Sequence, residues 1–242
     1  MMSNSCKNAD KEYTGSWPER FDDLKLNSHD ERLRNFYTAG TVAPDTPIVN
    51  TPLIAMDFET TGLDANGNDI VSVGIVPFGL NRIFCHESAH WVVKPKQALT
   101  EGSVVIHGIT HSEVDEAPDL ELILEELLST IAGRIVVVHY RFIEREFLAR
   151  ALLDRLGEAI EFPVIDTMEL EKRVLCKQQT FLDRLLRKPL GSLRLASCRQ
   201  RYGLPHYQAH HALTDALATA ELLQAQLSYH YSADTTVSQL WC

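Results

Sequence analysis

The stretch Met56-Asp-Phe-Glu-Thr-Thr-Gly-Leu-Asp64 constrains this 242-residue chain more than any other part of its sequence. It continues an apolar segment that begins at Leu53, and such a segment is typical of a buried β-strand. Side chains alternate along a strand, so Asp57 and Glu59 share one face, opposite to their apolar neighbours. Two carboxylates on one face of a core strand repel each other and resist desolvation. The pair therefore favours a divalent cation such as Mg²⁺ or Mn²⁺, unless it is simply solvated at the strand end.

The composition is that of an ordinary globular protein, with 45% hydrophobic and 23% charged residues. The length permits one sizeable core with extensions. The longest apolar runs are strand-sized, which argues against a membrane-spanning helix and a membrane partner. The five cysteines show neither a C-x-x-C pair nor the spacing of a zinc site, and we find no secretory signal. These features predict reduced thiols and a cytoplasmic location.

Charge is distributed unevenly along the chain. The net charge of −10 argues by itself against a protein that binds nucleic acid. Residues 172–205, however, contain nine Lys or Arg and one acid, Asp183, so this basic segment carries +8 and the remainder −18. A basic stripe on an acidic body could guide a polyanion towards a metal site. A solvated helix face would have the same composition, so both interpretations stay open.

The amino-terminal part of the sequence predicts a small helical arm. We expect residues 1–15 to be disordered. Residues 16–19 and 28–31 both fit the S-x-x-E capping box, and each precedes an amphipathic helix. Gly40 ends the second helix, and a linker with three prolines follows (Pro44, Pro47 and Pro52). The arm at 16–40 packs either on the main domain or on a partner, and the sequence does not decide between them.

The main domain is expected at 52–230, after the arm and linker (1–51) and before a tail (231–242). Strands are predicted at 53–58, 70–77, 83–94, 134–138 and 164–165, with a turn at Asn66-Gly67 between the first two. Helices are predicted at 120–131, 141–156 and 212–227, and the basic segment is expected to be mostly helical with a break near 189–191. This order of elements predicts an α/β fold, a mixed sheet flanked by helices.

Two further acids are candidates for the same site. Glu144 lies in the first turn of a predicted helix and is expected to point towards the core, unless it only complements the helix dipole. Asp215 lies in the predicted last helix, and His210 cannot share its face on a regular helix, so we expect His210 on the preceding loop. A histidine with near-neutral pKa beside a metal site suits general-base catalysis. His211 is the competing candidate, and a capping histidine is the alternative for both.

These segments, in this order, resemble the DEDD-type 3′–5′ exonucleases of the histidine-bearing, DnaQ-like branch (DEDDh), which includes the polymerase III epsilon subunit and RNase T. The first motif, D-x-E-T-T-G-L, occupies 57–63. The second is a histidine at a strand end, then a helix-borne acid and Phe-Leu. The third is H-x-A-x-x-D, and a His-Gly-Ile-Thr loop also matches. The resemblance covers about three quarters of the chain (52–228), with the later motifs at His139, Glu144, 147–148, 210–215 and 107–110.

The resemblance implies a ribonuclease H-like fold and two-metal hydrolysis of phosphodiester bonds at 3′ ends, single-stranded DNA first. Asp57 would bridge two Mg²⁺ or Mn²⁺ ions. Glu59 and Asp215 would complete the site of the ion that activates water. Glu144 would support the second ion, and His210 would act as general base.

The resemblance also implies a site for the terminal nucleotide. It would be held by the backbone near Thr60 and Thr61, with Leu63 as an apolar wedge and His107 nearby. Ordinary loop packing is the alternative for Leu63 and His107.

Two positions depart from the family pattern. Glu144 stands where the family usually has Asp, and Tyr140 where Asn often follows the histidine. Since Glu keeps the charge and the ligand type, we expect activity to survive.

RNA 3′ ends are the alternative substrate.

A scaffolding subunit with weak catalysis is the alternative function, with a DNA polymerase or another replication or repair protein as candidate partner. The arm and the tail would serve it. Residues 226–231 loosely resemble a sliding-clamp-binding peptide, but they more plainly end the last helix.

Overall fold

The computed structural model describes residues 16–96, 109–208 and 210–242, with residues 181, 182, 184 and 187 left out. The predictions for residues 1–15 and for His107 lie outside the described residues. Within them, no helix is long and apolar enough to cross a membrane. Cys85, Cys176, Cys198 and Cys242 form no disulfide with one another.

Within the described residues, six strands form one mixed sheet in the order β3-β2-β1-β5-β6, with β4 also pairing with β2. β1 is antiparallel to β2, whereas β1, β5 and β6 are parallel. Parallel neighbours end at the same edge, so three carboxyl-terminal strand ends lie close together there. The strands are β1 (Leu53–Thr60), β2 (Ile70–Gly79), β3 (Arg82–Ile83), β4 (Ala89–Val92), β5 (Ile135–Val138) and β6 (Val164–Asp166).

Eight α-helices in the described part flank the sheet, and apolar residues fill the space on both of its faces. Residues alternate along β1, so Ile54 and Met56 join one hydrophobic cluster while Leu53 and Ala55 join the other. The helices are α1 (Trp17–Asn27), α2 (Glu31–Thr38), α3 (His111–Glu116), α4 (Leu120–Ile131), α5 (Phe142–Leu156), α6 (Thr167–Gln178), α7 (Leu195–Arg201) and α8 (Ala212–His230). The first cluster packs against α1, α2, α4 and α5, and the second against α6 and α8.

The amino-terminal arm packs on the main domain. Its apolar side chains are buried in the first cluster together with those of α4 and α5. Glu161 N donates a 3.0 Å hydrogen bond to Tyr37 Oη, and Arg20 pairs with the Glu161 carboxylate. The structure therefore decides the question that the sequence left open. The buried arm residues are Trp17, Phe21, Leu33, Phe36 and Tyr37.

Both predicted capping boxes in the arm are wrong. Ser16 makes no side-chain capping hydrogen bond, and Ser28 Oγ donates to Leu24 O at the end of α1. Asp30 is the N-cap of α2 and accepts from Arg32 N. Aspartate caps as well as serine, and Asp30 directly precedes the helix. A capping box is formed by Thr110 and Glu113 at the start of α3.

The prediction of one strand at 83–94 is also wrong. β3 and β4 pair with different parts of β2, and the 3₁₀ helix Cys85–Glu87 separates them. Between β3 and β4 the chain stops pairing with β2 and then pairs with it again. The alternation of apolar and polar residues does not mark this break in the sequence. The other predicted strands and the helices at 120–131 and 141–156 are confirmed to within two residues at each end. The turn at Asn66-Gly67 is also present.

The carboxyl-terminal residues are part of the same packed body. The last helix continues to His230 and buries Gln226, so the interpretation of 226–231 as a clamp-binding peptide is wrong. Val237 and Leu240 are buried in the second cluster, and Trp241 bridges to Ile165. Side chains of the arm and of the tail are buried in the same hydrophobic clusters as those of the main domain. The domain boundaries near 52 and 230 therefore stay a proposal.

Candidate active site

Three carboxylates converge where α8 crosses β1. Asp57, Glu59 and Asp215 each place an oxygen within 4.8 Å of the others. Asp57 and Glu59 lie on one face of β1, as the alternation predicts, and Asp215 lies in the first turn of α8. Carboxylate oxygens at this spacing could hold a metal ion of the hard, oxygen-preferring kind.

Gly74 allows α8 to come this close to the sheet. It pairs with Asp57 across β1 and β2, and a Cβ at Gly74 would collide with the backbone of Ala212 and Leu213. The first turn of α8 is thereby held against the strand pair, which brings Asp215 to Asp57. The sequence analysis missed this residue. A glycine inside an apolar strand is the signal that points to a close backbone approach.

Glu144 approaches the same site from α5, at the carboxyl end of β5. Its predicted burial is confirmed, since only 2% of the residue is exposed. Glu144 lies outside the group of three, but its charge acts on Asp57 and raises that pKa. Its Oε2 atom is buried and has no hydrogen-bond partner among the described residues. Buried polar atoms in proteins nearly always have a bonding partner, so we expect this oxygen atom to bind a ligand.

The acids of the site hold protons more tightly than ordinary carboxyls. Burial raises the pKa of Asp57 well above its usual range, and the charges of Glu144, Asp215 and Glu59 raise it further. Burial likewise raises the pKa of Glu144, and the Asp166 charge adds to it. The pKa of Asp215 is also raised by burial, although the hydrogen bond from His210 N opposes this. A bound cation would relieve all three costs.

Asp166, which the sequence analysis missed, holds the loop before Glu144. It ends β6 and is 2% exposed. Its two oxygens accept from Tyr140 N and Arg141 N, both at 3.1 Å, and from Met168 N at the start of α6. Tyr140 has φ +90°, a conformation that asparagine tolerates better than tyrosine. The detectable signal was an aspartate directly between a strand and a helix, the N-cap position.

His139 ties the end of β5 to the segment before α7. Its Nδ1 lies 2.8 Å from Thr167 Oγ1 and its Nε2 lies 2.9 Å from Leu193 O. Burial lowers the pKa of His139, which favours the neutral ring. Nε2 donates to Leu193 O, because a carbonyl oxygen only accepts, and Thr167 Oγ1 directs its own proton to Val138 O at 3.0 Å. His139 therefore acts as a structural bridge in this structure.

The two candidate bases face different surroundings. His210 lies before α8, as predicted, at φ +70°, and its backbone N donates to Asp215 Oδ2 at 2.9 Å. His211 is the N-cap of α8, and its ring lies on that of His90 with 4.6 Å between centroids. His210 borders the cavity beside Asp215, whereas His211 packs against β4.

Three of the residues predicted to hold a terminal nucleotide, Thr60, Thr61 and Leu63, lie at the end of β1 and in the loop after it. Thr60 Oγ1 donates to Gly62 O at 2.6 Å, and Thr61 N donates to Asp69 O at 2.9 Å. These bonds stiffen the loop and present Leu63, which is 86% exposed. At this exposure Leu63 makes little contact with its own loop, and its role as an apolar wedge stays a prediction.

A cavity of about 1000 Å³ opens next to the acids. Its walls come from α6, α7, the loop that follows α7, and the start of α8. A cavity of this size can hold a substrate of several groups. Both polar and apolar side chains line it, among them His139, Arg194, Leu195, Tyr207, His210 and Asp215.

Most of the described basic side chains of the basic segment form ion pairs within the protein. Seven of its basic side chains are described, and five of them pair with carboxylates, for example Arg199 with Glu221 and Arg201 with Glu171. Lys177 and Arg194 are the two described exceptions. Four carboxylates form these five ion pairs, with Glu169 shared by Lys172 and Arg173, so the guidance of a polyanion by a basic stripe stays a prediction. Residues 167–178 and 195–201 are helical, and the predicted break at 189–191 lies between these two helices.

Comparison with known proteins agrees with the arrangement of these elements. A family model described as RNase_T, Exonuclease, matches residues 54–223. The chain belongs to this family. It is a DnaQ-like exonuclease domain with a ribonuclease H-like fold, and the expected resemblance to the DEDDh group is confirmed.

Two relatives contain a part that is similar to most of this chain. The PolC-type DNA polymerase III of Thermotoga petrophila is 29% identical over 74% of this chain, and the epsilon-like protein of Rhodobacter capsulatus is 29% identical over 73%. The chain spans only 12% and 24% of these two relatives.

Two solved structures share the fold. The nuclease domain of 3′hExo, a DEDDh family member bound to rAMP, has a TM-score of 0.59 at 15% identity, covering 74% of this chain and 92% of that domain. Exonuclease X with 5′ overhanging duplex DNA has a TM-score of 0.57 at 21% identity, covering 76% and 96%.

Proposed function

We propose that this protein is a metal-dependent 3′–5′ exonuclease that hydrolyses phosphodiester bonds at the 3′ ends of single-stranded DNA. The observation that carries the proposal is the convergence of Asp57, Glu59 and Asp215 at one end of β1, with Glu144 buried beside them. Burying four acids side by side costs desolvation energy, and this cost is hard to explain if the acids only stabilise the fold. They are well suited to hold divalent cations at a phosphodiester bond.

The donor set fits two Mg²⁺ or Mn²⁺ ions. Asp57, Glu59 and Asp215 would hold one ion, and Asp57 with Glu144 would hold the second. The unpartnered Oε2 of Glu144 supports this assignment, because a cation would satisfy it. When bound, two such ions stabilise the attacking and the leaving oxygen of an in-line displacement.

His210 is the proposed general base. Its backbone N–H is held by Asp215, and its position before α8 places it at the border of the cavity. From there its imidazole would take a proton from the attacking water. Thr60, Thr61, Leu63 and His107 would hold the terminal nucleotide, so that only the last phosphodiester bond reaches the acids.

DNA is the favoured substrate, and a polymerase is the proposed partner. Support comes from the relatives named DNA polymerase III, which match the chain at 29% identity. RNA is the competing substrate, because 3′hExo was solved bound to rAMP. The two are told apart by a contact to the 2′-hydroxyl group.

The proposal is tested with purified protein and single-stranded DNA and RNA oligonucleotides labelled at either end. Each is incubated with Mg²⁺, Mn²⁺ or EDTA, and the products are resolved by length. A 5′-labelled DNA strand should shorten stepwise, and a 3′-labelled strand should release its label at once. Both reactions should require the metal.

Asp215→Asn should abolish hydrolysis, whereas Asp22→Asn, an exposed acid of α1, should leave it unchanged. Degradation that persists in EDTA would reject the metal mechanism. Faster shortening of RNA than of DNA would assign the competing substrate. A protein that binds DNA without cleaving it under any metal would support the scaffolding alternative.

A further inference from the structure

Arg194 differs from the other arginines of its segment. Arg199 is 4% exposed and donates to Ala218 O, Pro205 O and the Glu221 carboxylate. Arg201 donates to Glu171, Ser192 O and Cys198 Sγ. The side chain of Arg194 is exposed, and its guanidinium forms no ion pair or hydrogen bond with any described residue. The side chains of Arg199 and Arg201 thus hold α7 against the rest of the protein, whereas the side chain of Arg194 does not.

The backbone at Arg194 is held in place although its side chain is not. Arg194 is the N-cap of α7, and the preceding carbonyl of Leu193 lies 2.9 Å from His139 Nε2. Arg194 N contacts Ser192 Oγ at 3.4 Å, and Cys198 N donates to Arg194 O. The guanidinium therefore projects from a fixed point, which reduces the entropy lost when it binds a ligand.

Arg194 borders the same cavity as His210 and Asp215. A polyanion that enters this cavity lies beside Asp215, one of the three clustered carboxylates, in a protein of net charge −10. A cationic group at the cavity wall is needed to bind it, and Arg194 supplies one. Guanidinium groups match phosphate oxygens in shape and can donate two hydrogen bonds to them.

We propose that Arg194 binds a backbone phosphate of the nucleic-acid strand, on the α7 side of the phosphodiester bond that is hydrolysed. The assignment rests on the proposed function of the acids. It adds a contact that fixes the strand without reading its sequence, since phosphates carry no base identity. Arg194 is thus a positioning residue outside the metal site.

The test measures binding separately from turnover. The dissociation constant of a fluorescent oligothymidylate is determined by anisotropy in Ca²⁺ at about 50 to 200 mM salt, the range in which phosphate contacts change affinity strongly. The proteins are wild type, Arg194→Ala, Arg194→Lys and Lys25→Ala. Lys25 is a cation in the last turn of α1 without a described partner, and it does not line the cavity, so it controls for loss of charge. Gels verify that the oligonucleotide stays intact.

We expect Arg194→Ala to raise the dissociation constant on the order of tenfold and to reduce the salt slope by about 0.7, the value for one phosphate of a single strand. Arg194→Lys should restore the slope, and Lys25→Ala should match wild type. In steady-state hydrolysis the alanine variant should raise KM and leave kcat unchanged. Its melting temperature should also be unchanged, because the side chain makes no described contact.

An Arg194→Ala protein with wild-type affinity and salt slope would overturn the proposal, as would a wild-type protein that does not bind the oligonucleotide. The proposed function fails differently. If wild type binds the strand through Arg194 but hydrolyses nothing in Mg²⁺ or Mn²⁺, the phosphate contact stands and the exonuclease assignment does not.

Discussion

Glu144 is the residue at which this chain departs from its family's usual aspartate. Its carboxylate is buried with one oxygen unpartnered among the described residues, and its charge raises the pKa of Asp57, although it lies outside the group of three carboxylates. We expect Glu144→Ala to abolish turnover, because it removes the proposed ligand of the second ion. Glu144→Asp should retain activity, since it keeps charge and ligand type. Hydrolysis of a labelled oligonucleotide in Mg²⁺ measures both, and an alanine variant with undiminished activity would reject the assignment.

Tyr140 occupies a backbone conformation that its side chain disfavours. Its φ of +90° persists because Asp166 accepts from its N–H and from that of Arg141. We expect Tyr140→Asn to raise the free energy of unfolding by about 1 kcal/mol, since asparagine visits positive φ at a lower cost. Urea denaturation gives this value.

Tyr229→Asn is the control for Tyr140→Asn, because Tyr229 is exposed in a helix and asparagine is a poorer helix former. It should lower stability slightly. A loss of stability in Tyr140→Asn would show that the strained turn is held by the tyrosine ring.

At the scale of elements, the site depends on how closely α8 approaches β2. Gly74→Ala should cost about 2 kcal/mol in stability, because the added Cβ meets the backbone of Ala212 and Leu213, which has no room to yield. Displacement of the first turn of α8 should also carry Asp215 away from Asp57, so metal-dependent hydrolysis should fall. Thermal melts and the oligonucleotide assay measure the two effects.

Gly79→Ala is a matched control in the same strand, since a Cβ at Gly79 meets nothing within 4 Å. Equal losses in the two variants would mean that general strand propensity is responsible. In that case contact with α8 would not explain the site's geometry.

At the scale of the whole molecule, the acid cluster lowers stability when no metal is bound. A carboxyl group whose pKa is raised by folding binds more protons in the native state than in the unfolded state. The contribution of this group to the free energy of unfolding therefore falls as the pH rises. The fall begins near the pKa of the group in the unfolded state, about 4, and ends above its raised pKa in the folded state. Asp57, Glu144 and Asp215 all shift in this direction. Acids with lowered pKa, such as Asp119 beside Arg155, act in the opposite sense.

The contribution of one acid is isolated by comparing Glu144→Gln with wild type in EDTA. The variant should melt higher than wild type at pH 8, and this advantage should shrink towards pH 4, where the wild-type carboxyl is protonated. Adding Mn²⁺ at pH 8 should raise the wild-type melting temperature more than that of the variant, because a ligand of the native state stabilises it. A pH-independent difference would contradict the assigned pKa shift.

The sequence by itself determined the order of most elements and the identity of the acids. Alternation placed Asp57 and Glu59 on one face, and apolar spacing gave α4 and α5, because these signals are local and repeat with a fixed period. Helix starts were less well determined, as at Asp30, because several nearby residues cap equally well. The broken strand at 83–94 was missed because strand pairing is decided by the partner, β2.

Only the tertiary structure decided which distant groups meet. The contact of Gly74 with α8, the hold of Asp166 on the loop before Glu144, and the pairing of Arg199 with Glu221 join residues far apart in the chain. The same applies to the arm, whose apolar face could have been covered by a partner and is instead covered by α4 and α5. The basic residues show most clearly the difference between what the sequence determines and what the tertiary structure decides. The sequence gives the number of basic residues at 172–205, but their availability depends on which acids the fold places beside them. Arg194 is left unpaired for that reason.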